Sequence, residues 1–265
     1  MANNYLRELL NHYYRVFNEK DFIVNDPISI PHLFTKKEDI EIAGFFASAI
    51  AWGNRKAILK SCHELMDRMD NSPYDFIMNY SDKDIDSLKG FYYRTFQETD
   101  ACCFADAIHN IYKNHGGLEK IFTDGYNESQ YDKIKNAIIH FRKIFFEHEY
   151  PQRVSKHIAD PTKGSASKRI NMFLRWMVRN DSNGVDFGIW KGISPSDLVI
   201  PLDVHVGNVG RKLGLITTKA NNWQAAMELT DYLKTLDKND PVKYDFALFG
   251  IGNAGIEIDS PELNQ

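Results

Sequence analysis

Apolar residues recur at helical spacing along almost the whole chain. Tyr5, Leu6, Leu9, Leu10, Tyr13 and Phe17 mark one face of a first amphipathic helix, which Asp26-Pro27 and Ile30-Pro31 bring to an end. A loop runs from there to Lys36-Lys37-Glu38-Asp39. Residues 40–50 are apolar on nearly all sides, as a central core helix would be, and the run stops at Trp52-Gly53-Asn54-Arg55. Ile58, Leu65 and Met69 carry the next helix, and Pro73, the capping pair Ser81-Asp82 and Gly90 punctuate two short ones. Residues 101–112 form a helix closed by His115-Gly116-Gly117, a C-capping signal. Ile134, Ile138, Phe141 and Phe145 line one face of another over 131–146. No stretch alternates for long as a strand does. The expected fold class is all-α.

One stretch breaks the pattern. In Pro201-Leu202-Asp203-Val204-His205-Val206-Gly207-Asn208-Val209-Gly210-Arg211-Lys212-Leu213-Gly214, loop and N-cap signals precede a helix rich in glycine. Asp203, Gly207, Gly210 and Gly214 lie at i, i+4, i+7 and i+11 and so share one stripe. Each interior glycine costs a helix about 1 kcal/mol against alanine. A stripe without side chains, headed by a carboxylate, therefore suggests that another backbone or a ligand comes close. Asp203 read as an N-cap alone needs no further role.

Composition narrows the class. The chain has 265 residues, 43% of them hydrophobic and 26% charged, enough for a proper core in one large domain or two small ones. Its net charge of −4 gives no global sign of nucleic-acid binding. The 3 cysteines, two of them adjacent (Cys102 and Cys103), make neither a disulfide framework nor a zinc site. The polar N-terminus is no signal peptide, and the apolar run 42–52 is too short to span a bilayer. A cytoplasmic protein without a membrane partner is expected.

Charge is nevertheless uneven. Residues 151–179 hold Arg153, Lys156, Lys163, Lys168, Arg169, Arg175 and Arg179 against Asp160, a local +6 that leaves about −10 elsewhere. Such a segment is either a solvated helix face or a phosphate-binding one. Within it, Thr162-Lys163-Gly164-Ser165-Ala166-Ser167-Lys168-Arg169 is a glycine turn feeding a helix, whose N-terminus offers free N–H groups to a phosphate.

These motifs together resemble the helix-hairpin-helix DNA glycosylases. Asp203-Val204-His205-Val206 and Lys212-Leu213-Gly214 resemble their Asp-Thr-His-Val and Arg-Leu-Gly signature, with Val204 in place of threonine and Asn208 where an arginine is common. Gly164 to Arg169 occupies the place of the hairpin Gly-Val-Gly-x-Lys-Thr, with Ala166 for the second glycine. Residues 47–55 resemble the helix end whose side chains fill the gap left by a flipped base. Gly90-Phe91-Tyr92-Tyr93-Arg94, followed by Gly116-Gly117-Leu118-Glu119, resembles a helix pair of these enzymes. Residues 240–252 resemble the helix that closes the site, most closely in archaeal 8-oxoguanine glycosylases. The likeness runs in collinear order over 40–256 and is that of a bacterial branch of the superfamily. It includes endonuclease III, but the iron-sulfur loop of some relatives has no cysteines here, so no cluster and no cofactor are expected.

The resemblance implies two helical subdomains, one over 30–190 and the other joining 1–29 to 191–265, with a helix-hairpin-helix element and a cleft between them. It implies Lys168 as nucleophile and Asp203 as the carboxylate that stabilises the sugar cation. DNA contacts would come from Lys163, Gly164, Ser165, Ser167, Arg169, Trp52, Asn54, Arg55 and His205. Tyr92, Phe96, Trp176 and Phe249 would line the base pocket; for any single aromatic, core packing is the competing role. The partner would be double-stranded DNA with a flipped damaged base, such as an oxidised purine, bound by a monomer. Two other readings remain open: a glycosylase-like protein that holds DNA or a lesion without cutting it, and a metal-dependent hydrolase using Asp203 and His205. The last lacks a His-x-x-x-His pair or similar ligand set, so no metal is expected.

Overall fold

A computed structural model of the chain describes residues 2–81 and 84–258. Its helices, in order, are α1 (Ala2–Phe17), α2 (Lys20–Val24), α3 (Lys37–Ile50), α4 (Arg55–Arg68), α5 (Pro73–Asn79) and α6 (Glu98–Asn114). There follow α7 (Leu118–Asn127), α8 (Lys133–Phe145), α9 (Lys168–Val178), α10 (Val204–Lys212), α11 (Trp223–Leu236) and α12 (Tyr244–Ala254). The sheet among the described residues is the antiparallel pair β1 (Tyr92–Tyr93) and β2 (Phe96–Gln97). The protein is mostly helical, as the apolar spacing predicts. Of the expected capping pair at 81–82, Asp82 lies outside the described residues, as do 259–265.

Two compact units divide the chain, 1–22 with 160–265 and 23–159. The sequence reading sets the boundary at 190, whereas this division sets it at 160. The hairpin stretch and α9 consequently belong with the C-terminal helices. The physical reason is the segment 180–193, which closes back onto α9 instead of leading away from it: Phe187 N donates to Trp176 O at 2.8 Å and Trp190 N to Met177 O at 2.9 Å. Trp190, itself buried, meets Phe173 edge-on at 5.4 Å.

The 23–159 unit is built around α3. Every residue from Ile40 to Ile50 is buried, as a helix apolar on nearly all sides requires. Phe45 stacks on Phe104 of α6 and meets Phe141 of α8 edge-on. α6 starts at a capping box, in which Asp100 accepts from Gln97 N at 2.8 Å. It ends at Gly116 and Gly117, both at positive φ (79° and 97°), as the glycine pair predicts. α7 and α8 then pack so closely that a Cβ on Gly125 would stand 2.9 Å from both Ala137 Cα and Asn136 O.

In the other unit α1 pairs with α12, the first helix with the last, and Tyr244 Oη of α12 donates to Asn11 Oδ1 at 3.2 Å. α11 has no counterpart in the elements expected from sequence. Its signals are nonetheless ordinary: Asn222 caps it by accepting from Ala225 N at 2.9 Å, and Trp223, Ala226, Leu229, Thr230, Leu233 form a buried stripe. No helix among the described residues is long and apolar enough to cross a membrane.

Gly125→Val puts methyl groups where α8's backbone runs, and backbone cannot rotate away as a side chain can. The variant should lose about 1–3 kcal/mol of stability, read as a lower denaturant midpoint with an unchanged slope. An unchanged midpoint would mean that α7 and α8 do not approach this closely.

Candidate active site

The hairpin stretch is assembled from its own backbone. Asp160 accepts from Thr162 N at 2.9 Å and starts a 3-10 turn over Pro161–Lys163, and Gly164 follows at φ +81°. Gly164 O accepts from Trp223 N at 3.0 Å, and Ser165 bridges to Asn222, which pins the hairpin to the start of α11. Ser167 sits in the left-handed region at φ 50°, a conformation that costs a non-glycine residue about 1–2 kcal/mol. It is held there because its N–H donates to Ser165 Oγ at 3.1 Å and Asn171 Nδ2 donates to Ala166 O at 3.0 Å. Ser167 makes no side-chain cap of α9.

Lys168 is the first residue of α9 and reaches Asp203, with Nζ 4.0 Å from Oδ2. Both side chains are part-exposed, at 28% and 22%. The two oxygens of Asp203 divide between two tasks. Oδ1 caps α10 by accepting from Val206 N at 3.0 Å, while Oδ2 faces the ammonium. Capping and a role at the lysine therefore coexist in one carboxylate. The Asp203 carbonyl in turn accepts from Asn221 Nδ2 at 3.1 Å, and Arg211 Nη2 donates to Asn221 Oδ1 at 2.7 Å.

The glycine stripe behind Asp203 is covered by the chain itself. A Cβ on Gly207 would stand 2.5 Å from Asn221 Oδ1, and one on Gly210 would stand 2.8 Å from Ile216 Cδ1. Gly214, at φ +70°, lets the chain turn back to make that cover. Of the two occupants the stripe suggests, it is the returning chain that lies there. On the other side, α12 approaches through Gly252, whose added Cβ would meet His205 Cβ at 3.0 Å.

Beyond Lys168, the same stripe of α9 carries Met172, Arg175 and Arg179, at i+4, i+7 and i+11. Met172 Sδ is 3.3 Å from Lys168 Nζ. Arg175 donates through Nε to Asp186 Oδ1 at 3.2 Å and through Nη1 to Asp245 Oδ2. Arg179 donates to Asp186 Oδ2 at 3.0 Å, to Asp181, to Asp240 Oδ2 at 2.9 Å and to Tyr14 Oη at 2.7 Å. Both guanidiniums are buried, and the segment 180–193 brings Asp186 between them. For Arg179, burial works against the charge, but Asp186 and Asp240 more than reverse this and raise its pKa. Burial pushes the Asp245 carboxyl up to about 6, opposed by Arg175 and assisted by Asp203.

This corrects the charge count. Of the +6 over 151–179, Arg175 and Arg179 are neutralised internally, and Arg153 pairs with the buried Asp100 at 3.0 Å. Arg169 is half-buried, and desolvation draws its guanidinium down to about 10. Lys163 and Lys156 are exposed. A charged residue in a sequence marks a surface only when no opposite charge is folded against it.

The other sequence-predicted residues fall as follows. In the 1–22/160–265 unit, His205 is exposed with its ring edge-on to the half-buried Phe249 at 5.9 Å. Trp176 is wholly buried and so offers no face for a base; it is a core residue. In the 23–159 unit, Phe96 is also wholly buried, edge-on to Phe104 at 5.1 Å, and is likewise core. Tyr92 is 64% exposed on β1. Asn54 caps α4, accepting from Ala57 N at 3.1 Å. Trp52 lies under the guanidinium of Arg94, 4.5 Å from its ring centroid, and accepts at its carbonyl from Tyr93 Oη at 2.5 Å. The sequence carries no local sign of Asp186 or Asp245 as partners of Arg175, from which they lie 11 and 70 residues away. Among the described residues no group of three or more His, Cys, Asp or Glu side chains is placed to hold a metal ion.

The chain belongs to the family described as "Protein of unknown function (DUF2400)", whose model matches residues 26–254. No curated protein and no solved structure matches it.

Asp245 holds a proton to about pH 6 in the folded chain, against about 3.9 for an unfolded aspartate. The folded state thus binds the extra proton between these values. The stability this gives is fully present below about pH 4 and is lost as pH rises through about 6. Asp245→Asn removes the dependence, so the gap in thermal midpoint between wild type and variant should change across that window. A gap that stays constant with pH would contradict the burial of an ionisable carboxyl here.

Proposed function

We propose that this family member is a DNA glycosylase with lyase activity, acting as a monomer on double-stranded DNA that carries a damaged, flipped-out base. The observation that carries this reading is the pairing of Lys168 and Asp203, 35 residues apart, at 4.0 Å. It joins the first residue after a glycine hairpin to a helix N-cap, the two positions that the glycosylase resemblance names. In this reading Gly164 to Lys168 is the hairpin of a helix-hairpin-helix element, with Lys163 and the N-terminus of α9 facing backbone phosphates.

The chemistry needs both side chains. Breaking an N-glycosidic bond leaves positive charge on the sugar, and a fixed carboxylate nearby lowers the barrier to it. Asp203 meets that requirement because its capping bond fixes the group, leaving Oδ2 for the cation. Neutral Lys168 attacks the anomeric carbon as the base departs, and the Schiff base formed allows strand scission by β-elimination. His205, two residues after Asp203 on α10, meets Phe249 of α12 edge-on, and the two are the proposed wall of the base pocket. A second reading, binding to DNA or a lesion without cleavage, is favoured by one fact: the lysine is ion-paired, and a cationic lysine is no nucleophile.

Borohydride trapping on a duplex with an abasic site separates the two. The wild type should form a covalent adduct and Lys168→Ala should form none, while still binding the duplex. Asp203→Asn should slow base release by orders of magnitude yet stay folded, because asparagine caps a helix as well as aspartate does. Absence of any wild-type adduct across abasic and lesion-bearing duplexes would leave the binding reading. Because Arg175 and Arg179 are spent internally, affinity should fall with salt less steeply than a +6 segment suggests. A slope of log affinity against log salt near −5 or beyond, on the order of six phosphates neutralised, would contradict that.

A further inference from the structure

Lys168 and Met172 meet one turn apart on α9. Side chains of a helix lean toward its N-terminus, so the residue at i+4 lies back over the residue at i. Met172 lies over Lys168 in this way, and Lys168 Nζ donates to Met172 Sδ at 3.3 Å. The backbone beneath them is fixed where α9 begins: Ser167 N donates to Ser165 Oγ, and Asn171 Nδ2 to Ala166 O. Met172 is 6% exposed, whereas the Lys168 side chain keeps 28% of its surface in solvent. The amine therefore stands at the border of the core, with the sulfur on its inner side.

Any aliphatic residue of similar size would fill the buried position at 172, but of these only methionine brings an acceptor. A thioether is a weak acceptor and a poor device for holding a charge. Arg175, on the same stripe, is gripped by Asp186 and Asp245. Lys168 has its carboxylate at 4.0 Å, beyond hydrogen-bond distance. Its surroundings thus direct the amine more than they bind it. Two acceptors face it, Met172 Sδ and Asp203 Oδ2. A neutral primary amine has two N–H groups and one lone pair, each in its own tetrahedral direction. When the N–H groups turn to the sulfur and the carboxylate, the pair is left in the third direction, away from both.

We propose that Met172 is a positioning residue for Lys168, its sulfur holding one N–H so that the nitrogen lone pair points at the incoming sugar carbon. The inference rests on the lysine-nucleophile reading above. On an abasic site that carbon is an aldehyde. The lone pair forms the bond from nitrogen to carbon, and both N–H protons leave with the carbonyl oxygen as one water, which gives the imine with no net gain or loss of protons. Borohydride then supplies a hydride to the imine carbon and fixes the adduct. The sulfur is neither oxidised nor alkylated, and it acts on the sugar only through the amine.

The test uses the full chain, an abasic-site duplex and single-turnover borohydride trapping at saturating protein. Met172→Leu nearly keeps the volume and removes the acceptor. It should slow trapping at least about tenfold, as misdirecting a reacting group does, with duplex affinity within about twofold of the wild type. Met172→Gln returns an acceptor oxygen near the place of the sulfur and should trap faster than Met172→Leu, although it suits the core less well. A role in packing alone predicts the reverse order. Met172→Leu trapping at the wild-type rate, or Met172→Gln no faster than Met172→Leu, overturns this inference and leaves the glycosylase reading intact. No wild-type trapping removes both. Should Met172→Leu fail to fold, protein made with norleucine in place of methionine decides, because norleucine keeps the shape and puts a methylene where the sulfur stood. Its trapping should be slowed as in Met172→Leu, and an unchanged rate overturns the proposal.

Discussion

Everything near the candidate site depends on Asp186 standing between two buried arginines. Each guanidinium taken from water costs several kcal/mol, and only well-placed carboxylates return it. Asp186 gives one oxygen to Arg175 and the other to Arg179, and its own side chain is fully enclosed. This fixes the last two turns of α9, and through them the angle at which its first turn presents Lys168. The segment 180–193 is therefore no decoration on the surface. It caps α9's carbonyls through Phe187 and Trp190 and provides the charge without which the helix could not be buried on that face.

The elements announced by periodicity are those that bury one continuous stripe. α8 was legible because Ile134, Ile138, Phe141 and Phe145 fall at spacings that only a helix turns to one side, and α3 because it is apolar all round. The Lys168–Asp203 pair was legible for a different reason, as two local motifs each with a turn chemistry of its own. What stayed hidden depends on partners distant in sequence. Nothing near Arg175 tells that Asp245, 70 residues on, will neutralise it, so a run of basic residues looked like a surface. Trp176 and Phe96 looked like stacking platforms because an aromatic side chain carries no local mark of whether its face will be open. Both proved closed. The glycine stripe of α10 correctly signalled a close approach, but not that residues 215–221 would make it.

Asp203 shows how one side chain can satisfy a structural and a chemical demand without compromise. A carboxylate has two oxygens and a helix cap uses one. The capping bond removes the rotational freedom that a lone surface aspartate would keep, so the second oxygen is already placed when a cation develops near it. The same economy is absent at Asn54, where the cap uses the amide oxygen and leaves a neutral donor.

The pairing of α1 with α12 has a consequence for how the chain is made. The 23–159 unit is one uninterrupted stretch, so all of its contacts are available once the ribosome has released residue 159. The other unit joins two distant stretches, and α1 is made with its partner still more than two hundred residues from synthesis. Its apolar face, with Leu6 and Leu10 destined for full burial, must wait in the open throughout translation. The nascent α1 is thus open to chaperones until α12 is made, and the unit that carries Lys168 and Asp203 is completed after the 23–159 unit.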